Sequence, residues 1–448
     1  MKDFAISESP AVQAQLDRLG HLTVPQGRFG LETITALLAR LGDPQNRLPP
    51  VFHVAGTNGK GSTCAFLRAM LEAQGLVVHA ATKPHLVRYN ERIRVAGRLI
   101  DDDWLAALLR EVLDCSDDLD PSFFEVTAAA TFLAFAHRPA DACLIEVGLG
   151  GRLDATNVFP APAVCGIAAL GIDHESFLLR PEAGTPDDPL ARIAFEKASI
   201  ARAGSPLVTQ AYPALAGSQV AAIAATAGAP HILQGRDWWA QASATGIAYR
   251  DRHGSLTLPL PVLAGAHQAD NAALAVAMLR HQSVVIVSPD AMASGIRAAR
   301  WPARLQRLSP GPLTALLPGR TIWLDGAHNA NAAAALAVAL ADILSDGAPL
   351  ALIFALMANR PLHDVLGALA PIVAEAHIVP IPGHAHHDPR AVADYASPAL
   401  IPRAATAADI PAALRQIAAN PDAPRTVLIA GSLYLAGEVL RLNGELPD

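Results

Sequence analysis

Short apolar runs alternate along this chain with longer segments in which apolar residues recur every three or four positions. The runs VFHVA, CLIEV and VCGIA are each bounded by glycine, proline or polar residues, whereas LETITALLARLG and WLAALLREVL have the spacing of amphipathic helices. Apolar runs separated by helices are typical of parallel strands that are buried on both faces. The pattern therefore predicts an α/β protein with a doubly wound, mainly parallel sheet.

The same alternation begins a second time after an arginine-rich stretch. A chain of 448 residues is too long for one ordinary core. The stretch IRAARWPARLQRL marks a shift in composition, and Trp301 with Pro302 indicates a boundary within it. The apolar runs TIWL, LALIF and TVLIA follow. We therefore expect domains at residues 1–300 and 301–448, the second being a smaller α/β domain.

A glycine-rich turn joins the first apolar run to a helix. In GTNGKGST, residues 56–63, the glycines allow backbone N–H groups to turn toward one anion, and the following helix directs its positive end to the same place. Lys60 supplies a mobile positive charge, and the hydroxyls of Ser62 and Thr63 suit phosphate oxygens and a phosphate-bound Mg²⁺. The stretch predicts a nucleoside triphosphate site, although Gly61 between the lysine and the serine departs from the common G-x-x-x-x-G-K-[ST] spacing.

Lysine is scarce in this chain. It occurs at Lys2, Lys60, Lys83 and Lys197, whereas lysine and arginine together number 34, so arginine carries nearly all of the positive charge. An internal lysine in such a background is expected to do something that arginine cannot, such as acting as a compact ammonium or reacting as an amine.

Two further stretches place acidic residues and a histidine where strands are predicted to end. Glu146 lies inside the apolar run CLIEVGL, where an ionised carboxylate needs a cation or a strong partner. Asp173 and His174 follow the next apolar run. Because the carboxyl ends of parallel strands meet at one edge of a sheet, we expect Glu146 and His174 to share a Mg²⁺ site.

Composition excludes several classes of protein. A net charge of −7 without a basic tract argues against nucleic acid as the main partner. No apolar run reaches the ~18 residues of a membrane span, and the start MKDFAISESP lacks the features of a signal peptide, so we expect a cytoplasmic protein without membrane contact. The four cysteines show no C-x-x-C spacing and are interpreted as reduced thiols.

Taken together, these stretches resemble the folylpolyglutamate synthase and dihydrofolate synthase family of Mur-ligase-like amide ligases. The resemblance covers nearly the whole chain in family order. It is carried by HVAGTNGKGS, PHLVRYNERIRV, FFEVTAAA, EVGLGGRLDATNV, IDHE, FEKASI, GAHQADNAALA, WPARLQ, LDGAHN and AGSLYLAGEV. It implies a Mur-ligase-like ATP-binding domain followed by a Rossmann-like glutamate-ligase domain, and a monomer that ligates L-glutamate to dihydropteroate, to reduced folates, or to both.

The resemblance also implies roles for individual residues. Lys197 falls on the lysine that is carbamylated in related ligases, which turns an amine into a carboxylate-like metal ligand. The implied catalytic residues are Lys60, Glu146, His174 and Lys197, and the implied Mg²⁺ ligands are Ser62, Glu146, His174 and Lys197. The implied ATP-binding residues are Gly56, Thr57, Asn58, Gly59, Lys60, Gly61, Ser62, Asn271, Arg304, Asp325 and His328. The implied pterin-binding residues are Ser122, Phe123, Phe124, Glu125, Leu153, Asp154 and Ala155.

Three positions depart from the family pattern. Lys83 stands where the family has a serine that helps to bind magnesium, so either one Mg²⁺ site is altered or the ammonium supplies part of its charge. The stretch MANR, residues 357–360, and Ser199 also differ from the family. These departures leave open a folate-specific ligase, a nucleotide-binding homologue without ligase activity, and a small-molecule kinase. The pterin-site match at Asp154 and Ala155 favours the bifunctional enzyme.

Overall fold

The computed structural model describes residues 6–22, 30–344 and 347–448. Their contacts divide the chain into two compact units. The first extends to Val262 and resumes from Gln268 to Arg300, and the second comprises Leu263–His267 and Trp301–Asp448. Each unit contains its own sheet and its own apolar core.

The first unit is built on an eight-stranded sheet. Its strands are β1 (Val51–Ala55), β2 (Val78–Ala81), β3 (Ile93–Val95), β4 (Arg98–Leu99), β5 (Ala142–Glu146), β6 (Val164–Ile167), β7 (Leu207–Thr209) and β8 (His231–Leu233). Their spatial order is β4-β3-β2-β5-β1-β6-β7-β8. The six strands from β2 to β8 in this order run parallel, and β3 and β4 are antiparallel additions at one edge. The predicted doubly wound, mainly parallel sheet is confirmed.

Helices connect these strands. They are α1 (Pro10–His21), α2 (Glu32–Arg40), α3 (Lys60–Ala73), α4 (Asp102–Asp114), α5 (Phe123–Ala136), α6 (Glu175–Leu178), α7 (Pro189–Ala198), α8 (Ala214–Ala227), α9 (Ala266–Arg280) and α10 (Pro289–Ala298). The amphipathic stretch LETITALLARLG, residues 31–42, contains α2, and residues 23–29 before it lie outside the described residues. Apolar residues of α1, α2, α4 and α5 form one core with the sheet, and those of α7 and α8 form another.

The register of the central strands sets which residues lie together at one edge of the sheet. Every residue of β1, β5 and β6 is buried, as their continuous apolar runs predict. In β1, Val54 pairs with Glu146 of β5, and Ala55 pairs with Ile167 of β6. The turn after β1, the carboxylate that ends β5 and the loop after β6 therefore emerge at one edge of the sheet.

A three-stranded antiparallel sheet was not predicted. It consists of β9 (Trp238–Ser243), β10 (Gly246–Asp251) and β11 (Gly254–Leu258), in the order β11-β10-β9. Its strands expose many small and polar side chains, so they lack the apolar runs that identify the central strands. It is held to α9 by Asp251, whose side chain is 0% exposed and accepts two hydrogen bonds, of 2.7 and 2.6 Å, from Arg280.

The second unit contains a six-stranded sheet in the order β12-β13-β17-β14-β15-β16. Its strands are β12 (Gln306–Arg307), β13 (Thr321–Leu324), β14 (Leu350–Phe354), β15 (Val373–Ile378), β16 (Arg403–Thr406) and β17 (Thr426–Ala430). Its helices are α11 (Ala330–Ile343), α12 (Leu362–Leu369), α13 (Pro389–Ala396), α14 (Ile410–Ala419) and α15 (Leu433–Asn443). All strand pairs are parallel except β12–β13, which confirms the predicted second α/β pattern. In the described part of the chain, no helix has the length and apolarity to cross a membrane.

We expect Arg280→Met to destabilise the first unit. The substitution leaves the carboxylate of Asp251 buried without its charge partner, and breaking such a pair costs about 3–5 kcal/mol. The free energy of unfolding, measured by urea titration with tryptophan fluorescence, should fall accordingly. Arg18→Met is the matched control, because the Arg18–Asp114 pair is largely exposed and such pairs contribute about 0–1 kcal/mol. Equal losses in the two variants would contradict a structural role for the buried pair.

Candidate active site

The phosphate turn is held by close packing against its neighbours. Gly56 has φ +150°, and a Cβ there would lie 3.0 Å from that of Ala168. Gly59 has φ +84°, and a Cβ there would collide with the side-chain oxygen of Asn271. Asn271 lies on α9 and donates to Gln268 Oε1 at 3.2 Å. The structure therefore brings Asn271, which the sequence assigned to nucleotide binding, directly against the turn.

Hydrogen bonds close the turn on itself and on the loop after β6. Lys60 Nζ donates to the carbonyl oxygens of Gly56 at 2.8 Å and of Thr57 at 3.1 Å. Thr57 donates from its backbone N–H to Ala169 O and from its hydroxyl to Gly171 O at 2.7 Å. Thr57 thus fixes the shape of the turn, while the ammonium of Lys60 is held against the carbonyl oxygens of the turn.

Glu146 provides the carboxylate of the site. It is 3% exposed, and its Oε2 accepts a 2.9 Å hydrogen bond from the backbone N–H of Lys83. Ser62, also buried, lies in the first turn of α3. A buried carboxylate and a hydroxyl beside a phosphate turn suit Mg²⁺, which takes one or two protein oxygens and completes its shell with phosphate oxygens and water. The residues present therefore fit a nucleotide-bound Mg²⁺.

His174 lies in the loop after β6. It has φ +54° and precedes α6, and its backbone N–H donates to Asp173 Oδ1 at 2.7 Å. Its Nε2 lies 4.0 Å from Asp173 Oδ2. Among the described residues no three His, Cys, Asp or Glu side chains form a complete metal cage. A magnesium role for His174 consequently stays a prediction.

Lys197 lies near the end of α7 and is 5% exposed. Burial lowers its pKa to about 7, and the ammonium of Lys60 adds to this effect. The carboxylates of Asp173, Asp154 and Glu196 oppose the shift. A large fraction of Lys197 is therefore an uncharged amine near neutral pH, which is the form that reacts with CO₂.

A buried ion network beside Lys197 was missed by sequence reasoning. Arg152 Nη2 contacts Glu182 Oε2 at 2.6 Å and Glu196 Oε1 at 3.0 Å, and Arg192 Nη2 contacts the same Glu182 oxygen at 3.3 Å. Arg152 directly precedes the expected pterin residues, and Glu196 directly precedes Lys197. Arg152 and Glu196 lie in the motifs GGRLD and FEK, but neither these motifs nor the proline-rich stretch that contains Glu182 predicted the contacts.

Asp154 organises the turn that contains Leu153 and Ala155. Its Oδ2 accepts hydrogen bonds from the N–H groups of Gly148 at 3.0 Å and Leu149 at 2.8 Å. Its Oδ1 accepts from the N–H and the hydroxyl of Thr156. Burial alone would raise the pKa of Asp154, but the Lys83 ammonium and these hydrogen bonds lower it. Asp154 is therefore a charged clamp for the turn.

His53 completes a hydrogen-bonded chain beneath Asp154. The Thr156 hydroxyl donates to Asp154, so the 3.0 Å contact between His53 Nε2 and Thr156 Oγ1 assigns the proton to His53 Nε2. Burial lowers the pKa of His53 to about 3, with Arg202 and Lys83 also lowering it against the carboxylate of Asp154. A neutral His53 consequently supports Asp154 from inside the sheet.

The expected pterin residues on α5 form its N-terminal cap. Glu125 Oε2 accepts 2.7 Å hydrogen bonds from both the backbone N–H and the hydroxyl of Ser122. Phe123 is buried with its ring edge-on to that of Tyr89, whereas Phe124 is half-buried beside Phe123. The capping contacts explain the positions of Ser122 and Glu125, and the assignment of all four residues to pterin binding stays a prediction.

The polar loop at residues 85–92 is largely internal. Glu91 accepts backbone hydrogen bonds from Leu86 at 2.7 Å, Val87 at 2.9 Å and Arg88 at 2.6 Å. Arg92 is buried, donates to His85 Nδ1 at 2.9 Å and lies over the ring of Tyr89. Much of the polarity of this loop therefore serves to hold the loop in shape.

In the second unit, Arg304, Asp325 and His328 surround the turn after β13. Asp325 accepts 2.7 Å hydrogen bonds from the N–H groups of Leu305 and Ala327. Burial raises the pKa of Asp325, and the neighbouring guanidinium of Arg304 opposes that shift. His328 Nδ1 donates to Gly326 O at 2.7 Å. The sequence-predicted residues thus form one cluster within this unit.

Comparison with known proteins identifies the class of enzyme to which the chain belongs. Residues 313–433 match the family described as Mur ligase, glutamate ligase domain. With a phosphate turn and a buried carboxylate at the edge of a parallel sheet, the chain is an ATP-dependent ligase of the Mur-ligase type.

Whole-chain comparisons identify the particular family. The dihydrofolate synthase/folylpolyglutamate synthase of Bacillus subtilis is 30% identical over 429 residues, covering 92% of this chain and 94% of that protein. The structure of Escherichia coli FolC in complex with DHPP and ADP has a TM-score of 0.84 at 30% identity, covering 97% of both chains. The bifunctional Yersinia pestis enzyme complexed with AMPPNP and Mn ion has a TM-score of 0.82 at 30% identity, covering 97% of this chain and 98% of that one. The chain belongs to the dihydrofolate synthase/folylpolyglutamate synthase family, as the resemblance in its sequence indicated.

We expect Gly59→Ala to weaken ATP binding at least tenfold, or by about 1.4 kcal/mol, because the new Cβ meets Asn271 and forces the turn open. Gly75→Ala is the matched control, since Gly75 has φ +86° but nothing within 4 Å of a Cβ. The backbone strain of the two substitutions is therefore similar. Isothermal titration with ATP and Mg²⁺ measures the difference. Equal affinities in the two variants would show that the contact with Asn271 does not shape the nucleotide site.

Proposed function

We propose that this chain is a bifunctional dihydrofolate synthase and folylpolyglutamate synthase, which uses ATP to ligate L-glutamate to dihydropteroate and to reduced folates. One observation carries the proposal most directly. The turn that contains Lys60 follows β1, and the buried carboxylate of Glu146 ends the neighbouring parallel strand β5, so the two lie at one edge of the sheet. Family membership and the bifunctional relatives support the substrate assignment.

The proposed reaction has two steps. The substrate carboxylate attacks the γ-phosphorus of ATP, which forms an acyl phosphate and releases ADP. The amine of glutamate then attacks the acyl carbon, phosphate leaves with the electrons of the carbon–oxygen bond, and the amine loses a proton to give the amide. Both steps move negative charge among phosphate and carboxyl oxygens, so positioned cations are the main catalytic requirement.

The residues at the sheet edge supply these cations and the groups that hold them in place. Gly56–Ser62 holds the phosphates through backbone N–H groups, and Lys60 neutralises the transferring phosphoryl group. Ser62, Glu146, His174 and carbamylated Lys197 would hold Mg²⁺. When bound, Mg²⁺ screens the charge of the phosphates and aligns them for transfer. Asn271 contacts the turn, and ATP-binding roles for Arg304, Asp325 and His328 stay predictions of the family resemblance.

Pterin binding is proposed for two short segments. Ser122–Glu125 caps α5, and Leu153–Ala155 lies in the turn that Asp154 clamps. The half-buried ring of Phe124 is the best available surface for stacking on a pterin. In this proposal residues 1–300 bind ATP and the pterin substrate, and residues 301–448 form the glutamate-ligase domain. A monomeric state and a cytoplasmic location stay predictions of the sequence.

Phosphate release from ATP tests the proposal. Purified protein is assayed with dihydropteroate and with tetrahydrofolate, each with and without L-glutamate. We expect glutamate-dependent release with both substrates, together with the corresponding glutamyl products by mass spectrometry. Release with tetrahydrofolate alone selects the folate-specific ligase, and glutamate-independent phosphorylation indicates a kinase. Folate binding without turnover would indicate a binding protein rather than a ligase. The departures at MANR, residues 357–360, and at Lys83 favour that alternative.

A second prediction concerns Lys197. Protein equilibrated with ¹³C-bicarbonate above pH 7 should show a lysine carbamate signal by NMR that is absent from Lys197→Arg, because arginine keeps a cation but forms no lysine carbamate. The pKa of Lys197 is about 7. Below that pH the amine is mostly protonated and cannot attack CO₂, and above it the amine is mostly neutral. Turnover should therefore fall in CO₂-free buffer and at pH below about 7.

Rescue of a smaller variant provides the control for this second prediction. Lys197→Ala should lose turnover and regain part of it with acetate or another short carboxylate, which can take the place of the carbamate. A wild-type protein without the carbamate signal would rule out this role for Lys197, whatever its activity.

A further inference from the structure

The side chain of Lys83 has an unusual setting at the sheet edge. Lys83 lies just after β2, and its backbone N–H holds Glu146, the proposed Mg²⁺ ligand. Its stem runs past Gly148: a Cβ on that glycine would lie 3.2 Å from Lys83 Cδ and 3.4 Å from Lys83 Nζ. The missing side chain at residue 148 leaves room for the lysine, so the ammonium is directed into the turn after β5.

The charge of Lys83 acts on two members of the site. It lowers the pKa of Asp154 and that of His53. Asp154 nevertheless keeps its oxygens on Gly148, Leu149 and Thr156, so the attraction to Lys83 acts through space. Within residues 6–22, 30–344 and 347–448, no hydrogen-bond acceptor is found for the ammonium itself. Its donors are therefore available to an anionic ligand.

The ammonium of Lys83 excludes a second metal ion from the place that it occupies. A protonated amine cannot ligate a cation, and a divalent ion a few ångströms from an ammonium is strongly repelled in a partly buried site. The ammonium itself places one positive charge beside Gly148 and near the carboxylate of Asp154. A substrate carboxylate approaching the phosphate turn from the side of Asp154 would meet that charge.

We propose that Lys83 is the second cation of this active site: its ammonium contacts the substrate carboxylate and the acyl phosphate, and the chain uses a single divalent ion per bound nucleotide. The inference rests on the proposed ligase function. It assigns Lys83 a catalytic role in this chain, with the lysine packed closely against Gly148.

Counting bound metal ions tests the inference independently of turnover. Mn²⁺ is titrated into protein saturated with AMPPNP, and bound ions are counted by electron paramagnetic resonance. Wild type should bind one Mn²⁺ per chain, and Lys83→Ser, which removes the ammonium and offers a hydroxyl ligand, should bind two. Two ions in wild type, or one ion in Lys83→Ser, would overturn the proposal. Absence of AMPPNP binding in wild type would instead refute the proposed function itself.

Turnover of two matched variants tests the role of the charge. Lys83→Met keeps the length of the side chain without its charge, and we expect kcat to fall by about a hundredfold, as for other groups that stabilise developing negative charge, while KM for ATP changes less than about twofold. Lys83→Arg keeps the charge and should retain one Mn²⁺ and most of the turnover. Full turnover of Lys83→Met would overturn the proposal. Circular dichroism and AMPPNP affinity establish that each variant is folded.

Discussion

Parallel pairing of three buried strands is the constraint on which this site depends. β1 lies between β5 and β6, and its register sets Val54 beside Glu146 and Ala55 beside Ile167. A shift of one residue would turn Glu146 to the other face of the sheet. The phosphate turn and its carboxylate are therefore brought together by the same hydrogen bonds that build the core. The relative position of the turn and Glu146 is a consequence of strand register, because both lie at the ends of strands that are fully buried.

Charge balance is the second requirement at this edge. Glu146, Asp154 and Asp173 are largely or partly removed from water, and each lies near a cation or accepts hydrogen bonds from backbone N–H groups. Lys60, Lys83 and Lys197 are close enough to influence the titration of their neighbours. Lys197 responds by losing much of its charge near neutral pH, since its desolvation is not fully offset by carboxylates. The site thus combines a permanent cation in the phosphate turn with an amine poised for modification.

The sequence predicted most of the fold because most central strands are largely apolar and several helices are periodic. β1, β5, β6, β13, β14 and β17 all fall within largely apolar runs. The small sheet β9–β11 and the edge strand β16 could not be predicted in this way, since their exposed positions contain small or polar residues. The motifs predicted that the glycine-rich turn follows β1 and that Glu146 lies at the end of β5. They could not predict that Asp154 and Asp325 hold their own turns through backbone N–H groups, because such contacts depend on loop geometry rather than residue type.

Glu182 belongs to an ion network that adjoins the proposed active site. Glu182 comes from a proline-rich stretch after α6, yet it contacts Arg152 and Arg192, which also surround the buried carboxylate of Glu196. Buried carboxylates are tolerated only where their charge is compensated, and two guanidinium groups shared between two carboxylates meet that requirement. Arg152 and Glu196 in turn adjoin the Asp154 turn and Lys197 in sequence. Glu182 therefore supplies a charge partner to two arginines that also pair with the residue preceding Lys197.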